Sequence, residues 1–206
     1  INQVTARPEI GLTFAASLRS ILRQDPNIIM IGEIRDYETV DIAIKSALTG
    51  HLVLSTLHTT TAPGAVVRLV NMGVEPYLIN SSLICVVAQR LVRKICPHCR
   101  EEHTIKPEIL KNLKLNIDIS KEAKFFRGKG CPSCFNMGYI GRIGIAEVLL
   151  LTSAIRDLIL SKAQEHTIKQ KARAEGMRTL REDGLSQALK GVTTLEEILR
   201  VTAPDE

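Results

Sequence analysis

Two C-x-x-C pairs constrain the fold of this chain more than any other feature of its sequence. They are CPHC at residues 96–99 and CPSC at residues 131–134, separated by an interval longer than the usual zinc-ribbon spacing. Each short knuckle points two sulfurs inward, so the two pairs supply four thiolates to one tetrahedral ion. The sequence therefore predicts a structural zinc site with Cys96, Cys99, Cys131 and Cys134 as its ligands. Four protein ligands leave no position for water, so its role would be architectural.

Other uses of these cysteines are less well supported. CPHC alone resembles the redox dithiol of thioredoxin-like proteins, but that dithiol opens a helix after a strand, and here a long predicted helix precedes it. Two disulfides would conflict with a cytosolic location, whereas an iron–sulfur cluster stays possible. His98 and His103 are interpreted as bystanders because four cysteines complete the shell. Cys85 is assigned to the buried face of the preceding helix.

The N-terminal part of the chain alternates predicted helices and strands. Apolar residues recur at helical spacing over residues 13–24, and an apolar strand follows at residues 28–31. Asp36 is a candidate cap for a second helix that ends at Gly50, before a second apolar strand at residues 51–57. Continuous apolar strands between helices predict an α/β fold with a parallel sheet covered on both faces.

The remainder divides into two further segments. A mostly buried helix is predicted from residue 77 to about residue 95, before the cysteine pairs and their Lys-rich interval. Helical periodicity returns from about Gly144, and Thr194 and Glu197 have the spacing of a capping box, in which the threonine serves one orphan amide and the glutamate reaches back. We therefore predict domains at residues 1–95, 96–140 and 141–206, the last being a small helical domain.

Composition limits the classes of function. The 206 residues are 45% hydrophobic and 24% charged, which is typical of a soluble globular protein. Neither an apolar run of membrane-spanning length nor a signal peptide is evident, so a cytosolic location is expected. The basic excess is mild and aromatic residues make up 3%, which disfavours nucleic-acid binding. The chain begins without methionine, apparently within a domain, and is expected to be a fragment.

Glu33 is a candidate catalytic acid. It follows four aliphatic residues and Gly32, at the carboxyl end of the first predicted strand, where open α/β sheets place their ligands. A carboxylate at this position can orient the water that attacks a γ-phosphate or help to hold Mg²⁺ through water. The same pattern also occurs in buried strands without any function.

Two histidines and several arginines are further candidates. His51 and His58 bracket the second strand, and with Thr56 and Glu33 they are expected to form one polar cluster at one edge of the sheet. A neutral imidazole there can detect a phosphate through a hydrogen bond, although satisfied structural histidines are equally expected. The arginine candidates are Arg7, Arg19, Arg23 and Arg35. Each is interpreted first as a charged side chain in solvent, and Arg19 and Arg23 could also pair with Asp25.

The ordered set of motifs resembles the secretion ATPase superfamily. The matching strings are LRSILRQDPNIIMIGEIRD, TGHLVLSTLHT, QRLVRKICPHC with CPSC, GYIGR, GMRTLREDGL and EEILRVT, which together span nearly the whole chain. The branch that they resemble most is the type II secretion and type IV pilus assembly ATPases, since pilus retraction ATPases generally lack the tetracysteine module.

The resemblance implies the second half of a RecA-like P-loop ATPase core, a zinc module and a helical C-terminal domain. It implies a cytoplasmic homo-hexamer that hydrolyses ATP with Mg²⁺ and is peripheral at the inner membrane through a platform of secretion or pilus proteins. Glu33 falls on the Walker B glutamate, His51 and His58 on the ends of the His box, and His58 on the phosphate sensor. The Asp-box region contains Arg19, Arg23 and Asp25, and the metal ligands fall on Cys96, Cys99, Cys131 and Cys134.

The chain departs from the family pattern in three places. Asn27 and Thr60 stand where the family usually has aspartate and asparagine. No G-x-x-x-x-G-K-[ST] loop occurs, and in the family that loop lies upstream of the matching region. We therefore expect the isolated chain neither to bind ATP tightly nor to hydrolyse it. A stand-alone zinc-stabilised interaction module and a nucleic-acid-binding zinc ribbon are the alternatives, and the sequence does not separate secretion, pilus extension and DNA uptake.

Overall fold

The chain folds into two compact units. A computed structural model describes residues 1–105 and 124–204, so most of the Lys-rich interval between the cysteine pairs lies outside the described residues. One unit comprises residues 1–86 with 149–172, and the other comprises residues 87–148 with 173–206. This division differs from the sequence-based boundaries after residues 95 and 140. No helix in the described ranges has the length and apolar character needed to cross a bilayer.

The first unit alternates helices and strands, as the sequence predicts. Strands β1 and β2 pair in parallel, with Ile28 opposite Leu52 and Ile31 opposite Ser55. Its elements are α1 (Phe14–Ile21), β1 (Ile28–Ile31), α2 (Tyr37–Leu48), β2 (Leu52–Ser55), α3 (Ala62–Asn71), α4 (Pro76–Ser82) and α5 (Ser153–Leu160). Helix α6 (Glu165–Ala174) begins in this unit.

Local signals account for the ends of these elements. Asp36 caps α2 by accepting a hydrogen bond from the Thr39 amide at 2.8 Å, which confirms the predicted cap. Gly50 follows the helix with a φ of 105°, as the predicted left-handed stop requires. Asp25 takes a left-handed conformation before Pro26, at the end of the 3-10 turn that extends α1. The first helix therefore ends where the sequence predicts.

The parallel pair is covered on one face only, so the prediction of cover on both faces is wrong for the described residues. Ile29 and Ile31 are buried, whereas Ile28 and Met30 are 63% and 76% exposed. Successive side chains in a strand point to opposite faces, so the exposed residues share the second face. Within the described residues, this apolar face has no helix over it.

The predicted long helix at residues 77–95 is wrong beyond its first turns. Helix α4 ends at Ser82, Leu83 is extended, and residues Cys85–Ile95 form strand β3. Ala88 and Val92 are buried between exposed neighbours, because β3 pairs with a second long strand and presents alternate side chains to the core. Cys85 is exposed on this strand and is not a core residue.

The predicted return to helix at Gly144 is also wrong. Residues Tyr139–Leu150 form strand β6, the partner of β3, and the next helix begins at Ser153. Ile145, Glu147 and Leu149 are buried, and their spacing of two residues is the period of a strand. The helical C-terminal segment is confirmed from Ser153 onward.

The second unit combines this ribbon with a small hairpin and two helices. Strands β4 (Arg100–His103) and β5 (Phe125–Gly128) are antiparallel, with Arg100 opposite Gly128. Helices α7 (Leu180–Leu189) and α8 (Leu195–Val201) follow the end of α6. Ile145, Leu185 and Ile198 are buried in this unit, at 1% exposure or less.

The predicted capping box at Thr194 and Glu197 is half confirmed. The Thr194 hydroxyl accepts a hydrogen bond from the Glu197 amide at 3.1 Å, as expected. The Glu197 carboxylate does not reach back to the cap, because Arg93 and Arg200 donate to both of its oxygens. The side chain therefore links strand β3 to helix α8.

Candidate functional site

Glu33 lies where the carboxyl ends of the two parallel strands are tied together. The Thr56 hydroxyl donates to the Gly32 carbonyl at 2.6 Å, and the Ile34 amide donates to the Thr56 carbonyl at 3.0 Å. These two bonds extend the parallel pairing by one residue beyond Ser55 and fix the backbone on both sides of Glu33. The acid is thus held at the edge where parallel sheets place ligands.

The structure brings Glu33 and His58 together. His58 Nε2 lies 2.8 Å from Glu33 Oε2, and the Arg35 guanidinium donates to Glu33 Oε1 at 2.6 Å. The Glu33 side chain is 22% exposed, while those of His58 and Arg35 are 80% and 69% exposed. A sheltered carboxylate is therefore oriented from the solvent side by two nitrogen donors.

The same contacts set the charge of the carboxyl group. The hydrogen bond from Arg35, followed by that from His58, lowers the pKa of Glu33 below its ordinary value. Glu33 is therefore a carboxylate at neutral pH. A carboxylate accepts about four hydrogen bonds. Lone pairs consequently remain free to orient a water molecule.

His51 lies at the opposite end of β2, so the prediction of one polar cluster is wrong for this residue. Its Nδ1 is 2.9 Å from the Ser46 carbonyl oxygen and 3.3 Å from the Thr49 hydroxyl. The four residues of β2 separate it from the edge that carries His58, a span of about 13 Å. A catalytic role for His51 stays a prediction.

The Asp-box candidates form their own contacts near the end of α1. Arg19 pairs with Glu38 at 2.7 Å and not with Asp25, and Arg23 donates to the Arg19 carbonyl at 3.2 Å. Both contacts are exposed, and a surface ion pair such as that of Arg19 and Glu38 contributes little to stability. Within the described residues, these bonds do not join the Asp-box side chains to Glu33.

Arg35 is the site residue whose contact the sequence reasoning missed. The sequence predicts a solvent-exposed charge without a specific partner at this position. In the structure, Arg35 makes the shorter of the two described contacts to Glu33. The available signal was its spacing, because Glu33 and Arg35 flank the apolar, buried Ile34 and an arginine side chain is long enough to reach a carboxylate two positions away.

The four cysteines of the C-x-x-C pairs form a single cluster in the second unit. Their sulfurs all lie within 4.8 Å of one another, with Cys96 to Cys131 at 3.8 Å, Cys99 to Cys134 at 3.9 Å and Cys131 to Cys134 at 3.7 Å. Four thiolates around a tetrahedral zinc ion, each about 2.3 Å from the metal, are about 3.8 Å apart. The cysteines are not disulfide-bonded. Their spacing therefore fits a metal ion.

Backbone amides and close packing shape this cluster. The Gly130 amide donates to Cys99, and the Cys131 and Gly138 amides donate to Cys134, each at 3.3 Å. Burial raises the pKa of Cys134, but these amide bonds, together with its sulfur neighbours, lower it to about 7. A Cβ at Gly128 would overlap the Gly138 carbonyl, so glycine is required where the two segments cross.

The chain belongs to the family described as Type II/IV secretion system protein, which matches residues 1–200. Over 98% of its length it is 52% identical to the type IV pilus assembly ATPase PilB of Thermus thermophilus, of which it covers 23%. It is 50% identical, again over 98% of its length, to the type II secretion system ATPase E of Vibrio cholerae, of which it covers 40%. The chain thus spans less than half of these relatives.

Solved structures agree with this family. The pilus retraction motor PilT with bound ADP matches 95% of this chain and 45% of its own, with 28% identity and a TM-score of 0.63. The Legionella pneumophila ATPase DotB matches over 98% of this chain and 47% of the DotB chain, with 21% identity and a TM-score of 0.62. At this identity the match supports only the α/β fold.

Proposed function

We propose that this chain is the C-terminal part of a motor ATPase that couples ATP hydrolysis to type II secretion or type IV pilus assembly. The observation that carries the proposal is the contact between Glu33 and His58 at the carboxyl edge of the parallel strands. Residues 1–95 would provide the second half of a RecA-like core and residues 96–140 the metal module, with the C-terminal helices following from Ser153 onward. The names of the relatives support the coupling to secretion or pilus assembly.

In the proposed reaction, Glu33 orients the water that attacks the γ-phosphate of ATP. Its lowered pKa keeps it ionised, and Arg35 and His58 hold its carboxylate in one orientation. His58 is exposed and can turn toward a phosphate oxygen, which makes it the proposed sensor. When bound, Mg²⁺ would neutralise negative charge on the phosphate groups of ATP. We propose supporting nucleotide contacts for His51, Arg19, Arg23 and Asp25.

We propose zinc as the metal of the four-cysteine cluster. Four thiolates at this spacing fit the tetrahedral geometry of zinc, and the amide hydrogen bonds to sulfur stabilise the charge of the thiolates. The ion would hold the segment around Cys96 and Cys99 to the segment around Cys131 and Cys134. The role is structural because no ligand position is left for water.

The intact protein is proposed to work as a cytoplasmic homo-hexamer, peripheral at the inner membrane through a platform of secretion or pilus assembly proteins, without specific nucleic-acid binding. The isolated chain is expected to be inactive, because no phosphate-binding loop of the G-x-x-x-x-G-K-[ST] type occurs in its sequence. Support for these partners comes from the names of the relatives.

Steady-state ATP hydrolysis by the intact protein tests the proposed catalytic acid. Glu33→Gln removes the carboxylate and is expected to lower kcat by at least about 100-fold. Glu75→Gln makes the same change at an exposed position in the same unit and is expected to leave kcat within about twofold. Retention of most activity by the Glu33 variant would refute the assignment.

A further inference from the structure

A cavity of about 380 Å³ opens beside the first cysteine knuckle. The end of β3, the knuckle, the start of β6 and the segment between α7 and α8 form its walls. Two backbone bonds fix those walls: the Ile95 amide donates to the Val192 carbonyl at 2.9 Å, and the Cys96 amide to the Gly138 carbonyl at 3.0 Å. The lining includes Lys94, Ile95, Pro97, Arg100, Ile140 and Val192.

Arg100 is held in a defined position at this cavity. Its guanidinium carbon lies 3.9 Å from the centroid of the Phe126 ring, and its Nη2 lies 3.4 Å from the Lys190 carbonyl oxygen. Gly191 also lines the cavity, and a Cβ there would overlap both the guanidinium group and the ring. A stacked guanidinium keeps its N–H groups in its own plane, where they can bind a carboxylate in a bidentate manner.

The cavity lining is positively charged, and no acidic lining residue neutralises it. Lys94 and Arg100 are the charged lining residues, and none of the lining residues is acidic. The acidic residues on β4 pair with other cations: Glu101 pairs with Arg127, and Glu102 pairs with Lys124. The cavity therefore offers two cations to an outside anion.

The other walls are apolar, and the same unit carries further exposed apolar residues. Ile140 is 46% exposed, and Phe135 and Met137, which follow the second cysteine knuckle in the same unit, are 83% and 62% exposed. Exposed apolar groups and arginine are both typical of protein interaction sites. A small inorganic anion would leave this apolar lining unused.

We propose that this cavity docks an acidic peptide segment of a partner protein, in which a carboxylate side chain lies next to an aliphatic one. The carboxylate binds between Lys94 and Arg100, and the aliphatic side chain packs on Ile95, Ile140 and Val192. A concave site that joins two exposed cations to an apolar lining favours protruding side chains over a flat bilayer surface. The site does not depend on ATP hydrolysis, so it can be tested separately from the proposed catalytic acid.

Fluorescence anisotropy with a labelled peptide of alternating aspartate, glutamate and leucine tests this proposal on the zinc-loaded 206-residue chain. Lys94→Glu and Arg100→Glu are each expected to weaken binding at least tenfold. Gly191→Ala is expected to do the same without changing any charge, because its Cβ would displace Arg100 and because the φ of 67° at this position strains any residue other than glycine. Lys129→Glu, an exposed position of the same unit outside the cavity lining, is the matched control and is expected to change binding less than twofold. Zinc content and circular dichroism confirm that each variant is folded.

Three results would overturn the proposal. The first is a failure of the wild-type chain to bind the acidic peptide better than a peptide with lysine in place of its acidic residues. The second is an equal loss of binding in the Lys129 control. The third is binding to phosphatidylglycerol vesicles, in place of the peptide, with the same dependence on Lys94 and Arg100, which would assign the site to a membrane surface.

Discussion

The thiol of Cys134 shows how neighbouring groups prepare a single residue for a role. Cys134 is 1% exposed and accepts hydrogen bonds from two backbone amides, so its charged form is stabilised in a site that excludes water. The three other sulfurs of the cluster stand at the distance that a shared tetrahedral ion requires. The amide bonds and the spacing of the sulfurs therefore prepare Cys134 to act as a metal ligand.

Replacing one cysteine ligand should remove the metal. Cys134→Ser is expected to lower bound zinc from about one ion per chain to well below half of that, because three ligands and a weaker fourth do not retain the ion. Cys85→Ser is the matched control, since Cys85 is exposed on β3 and outside the cluster. Elemental analysis of reduced protein measures both. Full zinc content in the Cys134 variant, or equal loss in the control, would contradict the assignment.

The contact between Glu33 and His58 was partly predictable from the sequence. Each residue follows an apolar strand, and the alternation of helices and strands predicts that the strands are parallel, so their carboxyl ends meet. The position of His51 was not foreseen, because the direction of β2 places it at the other end. The ion pair from Arg35 depends on side-chain orientation, which residue spacing only suggests.

At the scale of elements, Glu197 joins strand β3 to helix α8. Its side chain is fully buried, and its Oε1 accepts hydrogen bonds from the backbone amide and Nε of Arg93 at 3.0 and 3.1 Å. Arg200 donates to both carboxylate oxygens, at 2.8 and 3.0 Å. The hydrogen bond from Arg200 is the largest cause that lowers the pKa of Glu197, to about 2. A buried charge that is fully bonded stabilises the pairing of these elements.

Loss of this carboxylate should destabilise the protein in a pH-dependent manner. Glu197→Gln is expected to lower the free energy of unfolding at pH 7 by about 2 kcal/mol, because the arginines it leaves are half exposed and can be hydrated. A depressed pKa stabilises the folded state above the ordinary value of 4.5, and this contribution is lost as the pH falls toward about 2. The difference between wild type and variant should therefore shrink below about pH 4.5.

Urea unfolding at pH 7 and at pH 3 measures this effect. Glu196→Gln is the matched control, because the neighbouring Glu196 side chain is 65% exposed, and its expected change is within about 0.5 kcal/mol. An equal loss in both variants, or a difference that does not change between the two pH values, would refute the account of Glu197.

The misassigned residues 77–95 show what local patterns leave undetermined. Their aliphatic content suits either a buried helix or a strand, and periodicity does not separate the two. The outcome depends on β6, because a long partner strand more than forty residues away allows β3 to form its hydrogen bonds. Elements with local caps, such as α2 with Asp36, were predicted correctly because their signals lie within the element.

At the scale of the whole molecule, one unit carries the proposed catalytic acid and the proposed sensor, and the other carries the four-cysteine cluster. The phosphate-binding loop does not occur in its sequence, and the chain spans 23% and 40% of two relatives named as ATPases. One apolar face of the β1 and β2 pair is exposed within the described residues.

A single-turnover measurement on the intact protein tests the central claim most directly. Intact wild-type protein and its Glu33→Gln variant are mixed in excess with labelled ATP, and the bound nucleotide is identified over time. The account predicts that both bind ATP, that the wild type converts it to ADP, and that the variant retains it as ATP. Conversion by the variant at the wild-type rate would contradict the assignment of Glu33 as the acid that activates water.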